Sequence, residues 1–273
     1  MSSKLFSLRV AVLCVFGVLI GLTVAAAAEP PQPFGADSLP SPLCITGAPL
    51  SICIGADSSV QVAHNRWPNG QVYGWQSGDA DSGAWLWVGS DIYGPDACYS
   101  SRVTTAMYTV RPWTTVSHSG PTGAGTAGNP WVITTVLQAG SSGVRVTQRA
   151  SYVNGQDYFR LDWDVANTSG AATTVSLFHA VDSYFADSDY GIGYYDAASG
   201  AVGGSDDQHR WYMLFVPQTP ATAYREGAFF DIWSDIGYCG DNMSCPVSGG
   251  CFQGLGFSST ILNSTMDNGF GLQ

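Results

Sequence analysis

A run of alternating apolar and polar residues between positions 143 and 191 constrains the fold more than any other part of this sequence. At its start, Val144, Val146, Ala150 and Tyr152 fall on one side of an extended chain, and polar residues fall on the other. A period of two is typical of a half-buried antiparallel strand, whereas the apolar positions of an amphipathic helix recur about every 3.6 residues. The segment therefore predicts a β-sheet protein.

Two turn sequences divide this run into three strands. Asn154 and Gly155 form a pair that adopts the positive φ angles of a tight hairpin, and residues 167–170 supply the next turn. The second strand has apolar residues at every second position, namely Phe159, Leu161, Trp163 and Val165. A third strand is expected at 173–182, so the run predicts three consecutive strands.

The composition extends this prediction to the whole chain. Of 273 residues, 33 are glycine and 14 are proline, and only 11% are charged, which is typical of a large all-β domain with many turns. No segment has a sustained helical period. Further strands are expected at 58–64, 71–75, 84–93, 103–110, 131–139, 211–217, 228–234 and 256–263.

The domain boundaries follow from the distribution of the predicted strands and from the last residues of the sequence. Residues 44–273 are predicted to form a single antiparallel β-sandwich domain. The sequence Asp267-Asn268-Gly269 is typical of a turn and 270–273 of the start of a strand, so we expect the domain to be truncated and to continue beyond residue 273.

The amino terminus has the features of a secretory signal peptide. Lys4 and Arg9 precede an apolar run, which ends in four alanines, so residues 1–28 predict a leader that is cleaved after Ala28. An uncleaved membrane anchor is the alternative. Residues 29–43 are proline-rich and predict an extended tether. The chain is therefore expected outside the cell or on its surface, with membrane contact only through the leader.

The charge balance limits the partners. The formal net charge is −11, with 10 lysines and arginines against 21 acidic residues, which argues against nucleic acid as a ligand. The acidity suits a solubilising surface, cation binding, or both.

Six cysteines follow the leader: Cys44, Cys53, Cys98, Cys239, Cys245 and Cys251. An even number in an exported protein predicts disulfide bonds. Local pairs are expected between Cys44 and Cys53 and between two of the last three cysteines, which leaves Cys98 for the sixth. A zinc site is the alternative, but the spacings and the lack of a nearby histidine fit it poorly.

Two acidic loops have the pattern D-x-D-x-G. Asp79 and Asp81 form the first, and Asp187 and Asp189 the second. Alternate aspartates place two carboxylates on one side of a loop, and the glycine permits a sharp turn around a hard cation, so Ca²⁺ is the candidate cofactor. The alternative is that these aspartates bond to the local backbone, as they commonly do in turns.

The chain also has nine tryptophans. Trp67 and Trp113 lie near turn sequences, and Trp85 lies on a predicted strand. An exposed aromatic face can stack on the C–H face of a sugar ring, so these three residues are candidates for carbohydrate binding. The alternative is that they fill the core of a large sandwich.

Two sequence segments carry a resemblance to a known module. They are the segment from Ser82 to Gly89 (SGAWLWVG) with residues 93–96 (YGPD), and the segment from Arg145 to Arg160 (RVTQRASYVNGQDYFR). Over roughly residues 55–270 the chain resembles a module of bacterial extracellular proteins whose relatives have the galactose-mutarotase-like β-supersandwich fold. That fold also forms sugar-binding domains of glycoside hydrolases and lyases, so the resemblance implies a fold but no single activity.

The resemblance also implies a candidate active site. Mutarotase chemistry needs an acid and a base on opposite sides of a sugar, and true mutarotases use a histidine and a glutamate. By order along the chain His179 is the candidate acid, Glu226 the candidate base and Asp182 the acceptor for a sugar hydroxyl. Alternation, however, places His179 among apolar residues, where a core position is the alternative.

These observations favour a secreted or cell-surface, non-catalytic β-sandwich module that binds carbohydrate or packs in a surface assembly. One rival hypothesis is an aldose epimerase or other carbohydrate-active enzyme that uses His179 and Glu226. The other is a purely structural or adhesive module. An enzyme requires both side chains in one cleft, whereas a binding module requires exposed aromatic residues beside an aspartate.

Overall fold

The computed structural model describes residues 41–67, 70, 72, 82–95, 109–186, 188–237, 254 and 256–273, together with the backbone of 6–13. These residues form seventeen strands and one helix. In chain order the elements are β1 (Phe6–Leu13), β2 (Leu43–Thr46), β3 (Leu50–Ile54), β4 (Val60–His64), β5 (Ser82–Val88), β6 (Asp91–Gly94), β7 (Thr109–Pro112), β8 (Thr114–Thr122), β9 (Trp131–Gln138), β10 (Val144–Tyr152), β11 (Tyr158–Asn167), β12 (Val175–Asp182), β13 (Tyr190–Asp196), β14 (Ala201–Ser205), β15 (Tyr212–Pro217), β16 (Tyr224–Ala228), α1 (Phe229–Ile236) and β17 (Met266–Leu272).

The strands form one large sheet and one small sheet. The large sheet has the order β7-β6-β5-β12-β17-β13-β14-β15-β1-β11-β10-β9-β8, with β16 also paired to β17. The small sheet has the order β2-β3-β4. All pairs are antiparallel except β6 with β7. The prediction of an all-β, largely antiparallel sandwich is therefore confirmed.

The large sheet folds back on itself, so that β12 faces β11 across the core. The ring of His179 on β12 lies 4.9 Å from the ring of Trp163 on β11, although the two strands are not paired. Both side chains are fully buried. The layers are joined by one continuous apolar cluster that includes Leu161, Phe215 and Phe270.

The central run of alternation behaves as predicted. In β10 the side chains alternate between buried and partly or fully exposed along the whole strand, and β10 pairs with β11 across the hairpin at Asn154 and Gly155. Gly155 has a φ of 95°, the positive value that the turn requires. The third strand differs in its partners, because β12 leaves β11 and pairs with β5 and β17.

Three local predictions were wrong. Residues 228–234 were expected to form a strand, but they lie largely in helix α1, where Ile232 and Ile236 are buried one turn apart. Residues 256–263 form no regular strand. Asp267, Asn268 and Gly269 were expected to turn, but they lie inside β17, where a Cβ on the glycine would lie 2.7 Å from the Phe229 Cα of α1.

The hairpin between β2 and β3 carries the expected disulfide bond. Cys44 and Cys53 are directly opposite in the register, their Cα atoms are 4.1 Å apart, and they are bonded to each other. This pairing is confirmed. The other four predicted disulfide cysteines, Cys98, Cys239, Cys245 and Cys251, lie outside the described residues.

Part of the predicted leader forms a strand in the uncut chain. Strand β1 lies between β11 and β15 and pairs with both. The rest of residues 1–28 lies outside the described part of the chain, so the signal peptide stays a prediction. Among the residues that the structure describes, no helix has both the length and the apolar character needed to span a membrane.

Candidate functional site

Three carboxylates converge at one end of the strands β12, β13 and β17. Asp182 ends β12, Asp189 immediately precedes β13, and Asp267 lies near the start of β17. One carboxylate oxygen from each lies within 4.8 Å of the other two. We call this group the acidic triad. Its geometry, with oxygens from three chain segments around one point, is that of a candidate site for a hard cation.

The sheet register brings the acidic triad together. Asp182 is opposite Gly269 of β17, and Asp267 is opposite Tyr190 of β13. Because directly opposed residues of antiparallel strands point to the same face, Asp182, Asp267 and Tyr190 share one face of the sheet. The turn before β13 adds Asp189 to this group. The Asp189 carbonyl accepts a hydrogen bond from the Asn268 N–H of β17 at 3.0 Å, which ties the turn to β17.

The electrostatics of the triad favour a bound positive charge. Burial, followed by repulsion from Asp189, raises the pKa of Asp267 to about 6. Burial also raises the pKa of Asp189, against the opposing effect of a hydrogen bond from Tyr184. One carboxylate oxygen each of Asp189 and Asp267 is buried with no hydrogen-bond partner among the described residues. Either a proton or a cation would relieve this charge.

The triad overlaps only partly with the predicted metal ligands. Asp189 belongs to it, whereas Asp79, Asp81 and Asp187 lie outside the described residues. Asp182, predicted as a sugar-hydroxyl acceptor, is a member. Asp267 was not predicted as a ligand because Asp267, Asn268 and Gly269 resemble a turn sequence. The signal that could have identified a strand here is the pair of apolar residues Phe270 and Leu272, which follow with a period of two.

Next to the triad lies an exposed aromatic surface on β13 and β15. Tyr190 and Tyr194 point to the same side of β13 and are 56% and 40% exposed. The Tyr194 ring meets the Tyr212 ring edge-on at 5.9 Å, and His209 stacks on Tyr212 at 6.3 Å. We call these four side chains the tyrosine face. In the register Tyr194 is opposite Gly203 of β14 and Tyr212 is opposite Ser205, so the two rings meet diagonally across β14.

The three tryptophans predicted to bind carbohydrate lie in the core. Trp67 packs against His64 and Trp211, and Trp85 packs against Trp233 at 4.8 Å. Trp113 donates its ring N–H to the Ala84 carbonyl at 3.1 Å. All three are at most 6% exposed. Their rings therefore offer no face to a sugar in this structure, and the alternative reading of these tryptophans as core residues fits their placement.

His179 is enclosed by the core. Its Nδ1–H donates to the Gly83 carbonyl at 2.7 Å, while its ring lies between those of Trp163 and Phe215. Its Nε2 is buried without a hydrogen-bond partner among the described residues. Burial lowers the pKa of His179 to about 4, so the ring is neutral at physiological pH. Its one proton is on Nδ1 and is engaged by the Gly83 carbonyl, which does not suit a general acid.

Glu226 is equally buried, and its carboxylate is bound by backbone and side-chain donors. The Leu262 N–H donates to Oε2 at 2.7 Å, and the Asn268 side-chain amide donates to Oε1. Burial raises the pKa of Glu226 despite these hydrogen bonds. A Cβ on Gly193 would lie 2.1 Å from Oε2, so β13 packs directly against the carboxylate.

His179 and Glu226 share the inner face of the sheet but not a cleft. In the register, His179 is opposite Leu272 and Glu226 is opposite Phe270, so the strand β17 runs between them. Leu272 and Phe270 are fully buried. The two side chains thus stand on the same side, as the catalytic hypothesis required, but apolar side chains fill the space where a substrate would bind.

We expect Glu226→Gln to lower the free energy of unfolding by about 1–3 kcal/mol, because one of the two donors would then face an amide N–H₂. Urea unfolding of the variant and of the parent chain measures this change. Unchanged stability together with the loss of a measurable epimerase activity would contradict this structural role and restore the catalytic hypothesis.

Comparisons with known proteins identify no family. The chain matches no protein-family model and no curated protein. The galactose-mutarotase-like resemblance therefore stays a prediction. The structure itself defines a class: an all-β sandwich with an acidic triad beside an exposed tyrosine face.

Proposed function

We propose that the chain is a secreted or cell-surface, non-catalytic β-sandwich module that binds carbohydrate on the tyrosine face, with Ca²⁺ held at the acidic triad. One observation carries this proposal. Tyr190, the most exposed tyrosine of the tyrosine face at 56%, is directly opposite Asp267 of the triad in the sheet. An aromatic platform and a cluster of carboxylates therefore adjoin in the sheet, which supports the proposal.

The tyrosine face has the chemistry that sugar binding needs. Tyrosine rings stack on the C–H faces of sugars, and their hydroxyl groups donate and accept hydrogen bonds. Tyr190 and Tyr194 are four residues apart on one strand, so their Cα atoms are separated by about 13 Å, at roughly 3.3 Å per residue. This length suits a ligand of more than one sugar ring.

The acidic triad suits Ca²⁺ among the common cations. Its ligands are carboxylate oxygens alone, which favour a hard ion over zinc, for which nitrogen and sulfur ligands are usual. Ca²⁺ takes about six to eight oxygen ligands, so three carboxylates leave positions for water or for ligand hydroxyls. A sugar on the tyrosine face is close enough in the register to supply such hydroxyls.

Other features are consistent with an exported binding module. The Cys44–Cys53 disulfide bond fits an oxidising compartment. The net charge of −11 disfavours nucleic acid. Neutral, enclosed His179 supports a module without mutarotase-type catalysis.

A glycan-array screen of the chain, in millimolar Ca²⁺ and again with chelator, tests the proposal. We expect selective binding that Tyr190→Ala with Tyr194→Ala weakens by roughly tenfold or more, since a loss of 1.4 kcal/mol is tenfold in affinity. Tyr158→Ala is the matched control, because Tyr158 is 39% exposed on a different strand and its loss should leave binding unchanged.

The screen also separates the rival functions. A blank array under both conditions would contradict carbohydrate binding and favour a structural module. Binding that persists in the double tyrosine variant would place the ligand elsewhere on the protein. Binding unaffected by chelator would remove Ca²⁺ from the site while leaving the carbohydrate proposal intact.

A further inference from the structure

Strand β1 is inserted between two strands that are far from it in sequence. It is antiparallel to β11 from the pair Phe6–Val165 to the pair Leu13–Tyr158, and antiparallel to β15 from the pair Val10–Pro217 to the pair Leu13–Leu214. In the order of the large sheet, β1 is the strand that links β15 to β11. Both edges of β1 are therefore used.

The strands β11 and β15, which flank β1, contribute side chains to the core. Leu161 and Trp163 of β11 and Phe215 of β15 are fully buried. Without β1, β11 and β15 would each present a row of unpaired N–H and C=O groups beside apolar side chains. Such a pair of edges accepts an extended strand readily, because the incoming backbone satisfies hydrogen bonds on both sides.

The sequence of β1 fits the position between β11 and β15 at most of its residues. Leu8, Val10 and Val12 are opposite residues of β11 whose side chains are buried, namely Trp163, Leu161 and Phe159. The intervening Ser7 and Arg9 are opposite Asp164 and Asp162. Every second residue from Leu8 to Val12 is thus opposite a buried residue of β11, and Ser7 and Arg9 are opposite aspartates, which favours this register. The match is weaker at Ala11 and Leu13, which are opposite Arg160 and the exposed Tyr158.

The same segment lies within the predicted leader. We propose that the gap between β11 and β15 is a strand-acceptor site, that Phe6–Leu13 of this chain is its occupant, and that detachment of this segment opens the site. The site takes an extended segment of about eight residues with apolar side chains at alternate positions. This inference does not depend on carbohydrate binding, since β1 pairs with Leu214–Pro217 of β15 and with β11, and none of these residues belongs to the tyrosine face.

The experiment uses the full chain with a specific protease site placed between residues 29 and 40. After cutting, we expect the N-terminal fragment to co-elute with the domain and to exchange for a labelled peptide with the sequence of residues 6–13. The peptide should bind the cut chain and not the uncut chain. Fluorescence anisotropy measures the dissociation constant.

Two peptide variants make the test specific for strand pairing. Val10→Pro removes a backbone N–H in the middle of the strand and should weaken binding at least tenfold. Val10→Ala keeps the N–H and should bind far more tightly than the proline peptide. In the uncut chain, Val10→Pro should lower the melting temperature more than Val10→Ala does.

Several results would overturn the proposal. One is a cut chain that binds neither its own fragment nor the peptide. Another is equal binding of the alanine and proline peptides. Dimerisation of the cut chain without peptide uptake would show that a second copy fills the gap, which also contradicts occupancy by Phe6–Leu13.

Discussion

Replacing Trp163 by alanine is expected to lower the free energy of unfolding by about 3–5 kcal/mol, the cost typical of deleting a large core side chain. Trp163 is fully buried, and its ring contacts that of His179 at 4.9 Å. Its Nε1–H donates to Gln148 Oε1 at 2.8 Å, and Gln148 is itself fully buried. The variant loses apolar contacts and leaves a buried acceptor without its donor. Equilibrium urea unfolding measures the effect.

Trp163→Phe is the matched control, since it keeps an aromatic ring and loses mainly the hydrogen bond, at about 1–3 kcal/mol.

A second readout is the pH dependence of stability. His179 has a folded-state pKa of about 4, below its ordinary 6.5, so its contribution is present above pH 6.5 and is lost as the pH falls toward 4. Trp163→Ala should admit water to the His179 ring. The variant should therefore lose less stability than the parent chain between pH 6.5 and pH 4. Unchanged stability would contradict the packing of β12 against β11.

Calcium at 100 times its dissociation constant is expected to stabilise the protein by about 2.7 kcal/mol, if it binds only the folded state. For a domain of this size that corresponds to roughly 5–10 °C in melting temperature. The physical reason is the unbalanced negative charge of the acidic triad. Thermal melts with Ca²⁺ and with chelator measure the increment.

The calcium increment should depend on pH in a defined direction. The folded-state pKa of Asp267 is about 6, above its ordinary 3.8, so the metal-free protein loses stability as the pH rises from about 4 through 6. Ca²⁺ competes with the proton, so its stabilising effect should grow over the same interval. His179 changes the stability in the opposite direction over this pH range. It does so equally with and without Ca²⁺, so the difference between the two melting temperatures removes its contribution.

Asp267→Asn should abolish most of this increment, and Asp207→Asn should preserve it, because Asp207 is exposed and lies outside the triad. Mg²⁺ in place of Ca²⁺ should stabilise less, since it demands a tighter octahedral geometry. A calcium increment that is equal in the two variants would show that the ion binds elsewhere. No increment at any pH would remove the cation from the proposed function.

The strands that could be predicted from the sequence are those whose burial alternates locally. The alternation in β10 and β11 and the turn at Asn154 and Gly155 involve neighbouring residues, so they are visible without knowledge of any distant partner. Cys44 and Cys53 could be paired for the same reason, because one short hairpin joins them. Helix α1 was missed because its short apolar stripe is too brief to establish a helical period.

The sequence by itself determined the all-β class, the central hairpin, one disulfide bond and an acidic, aromatic-rich composition. Only the tertiary structure decided which acidic and aromatic residues meet. Asp182 and Asp267 become neighbours because β17 inserts beside β12, and Tyr190 joins them through β13. Strand periodicity tells which side a residue faces, but pairing between distant strands is set by packing of the whole core, so the acidic triad and the depth of Trp85 could not be read from local pattern.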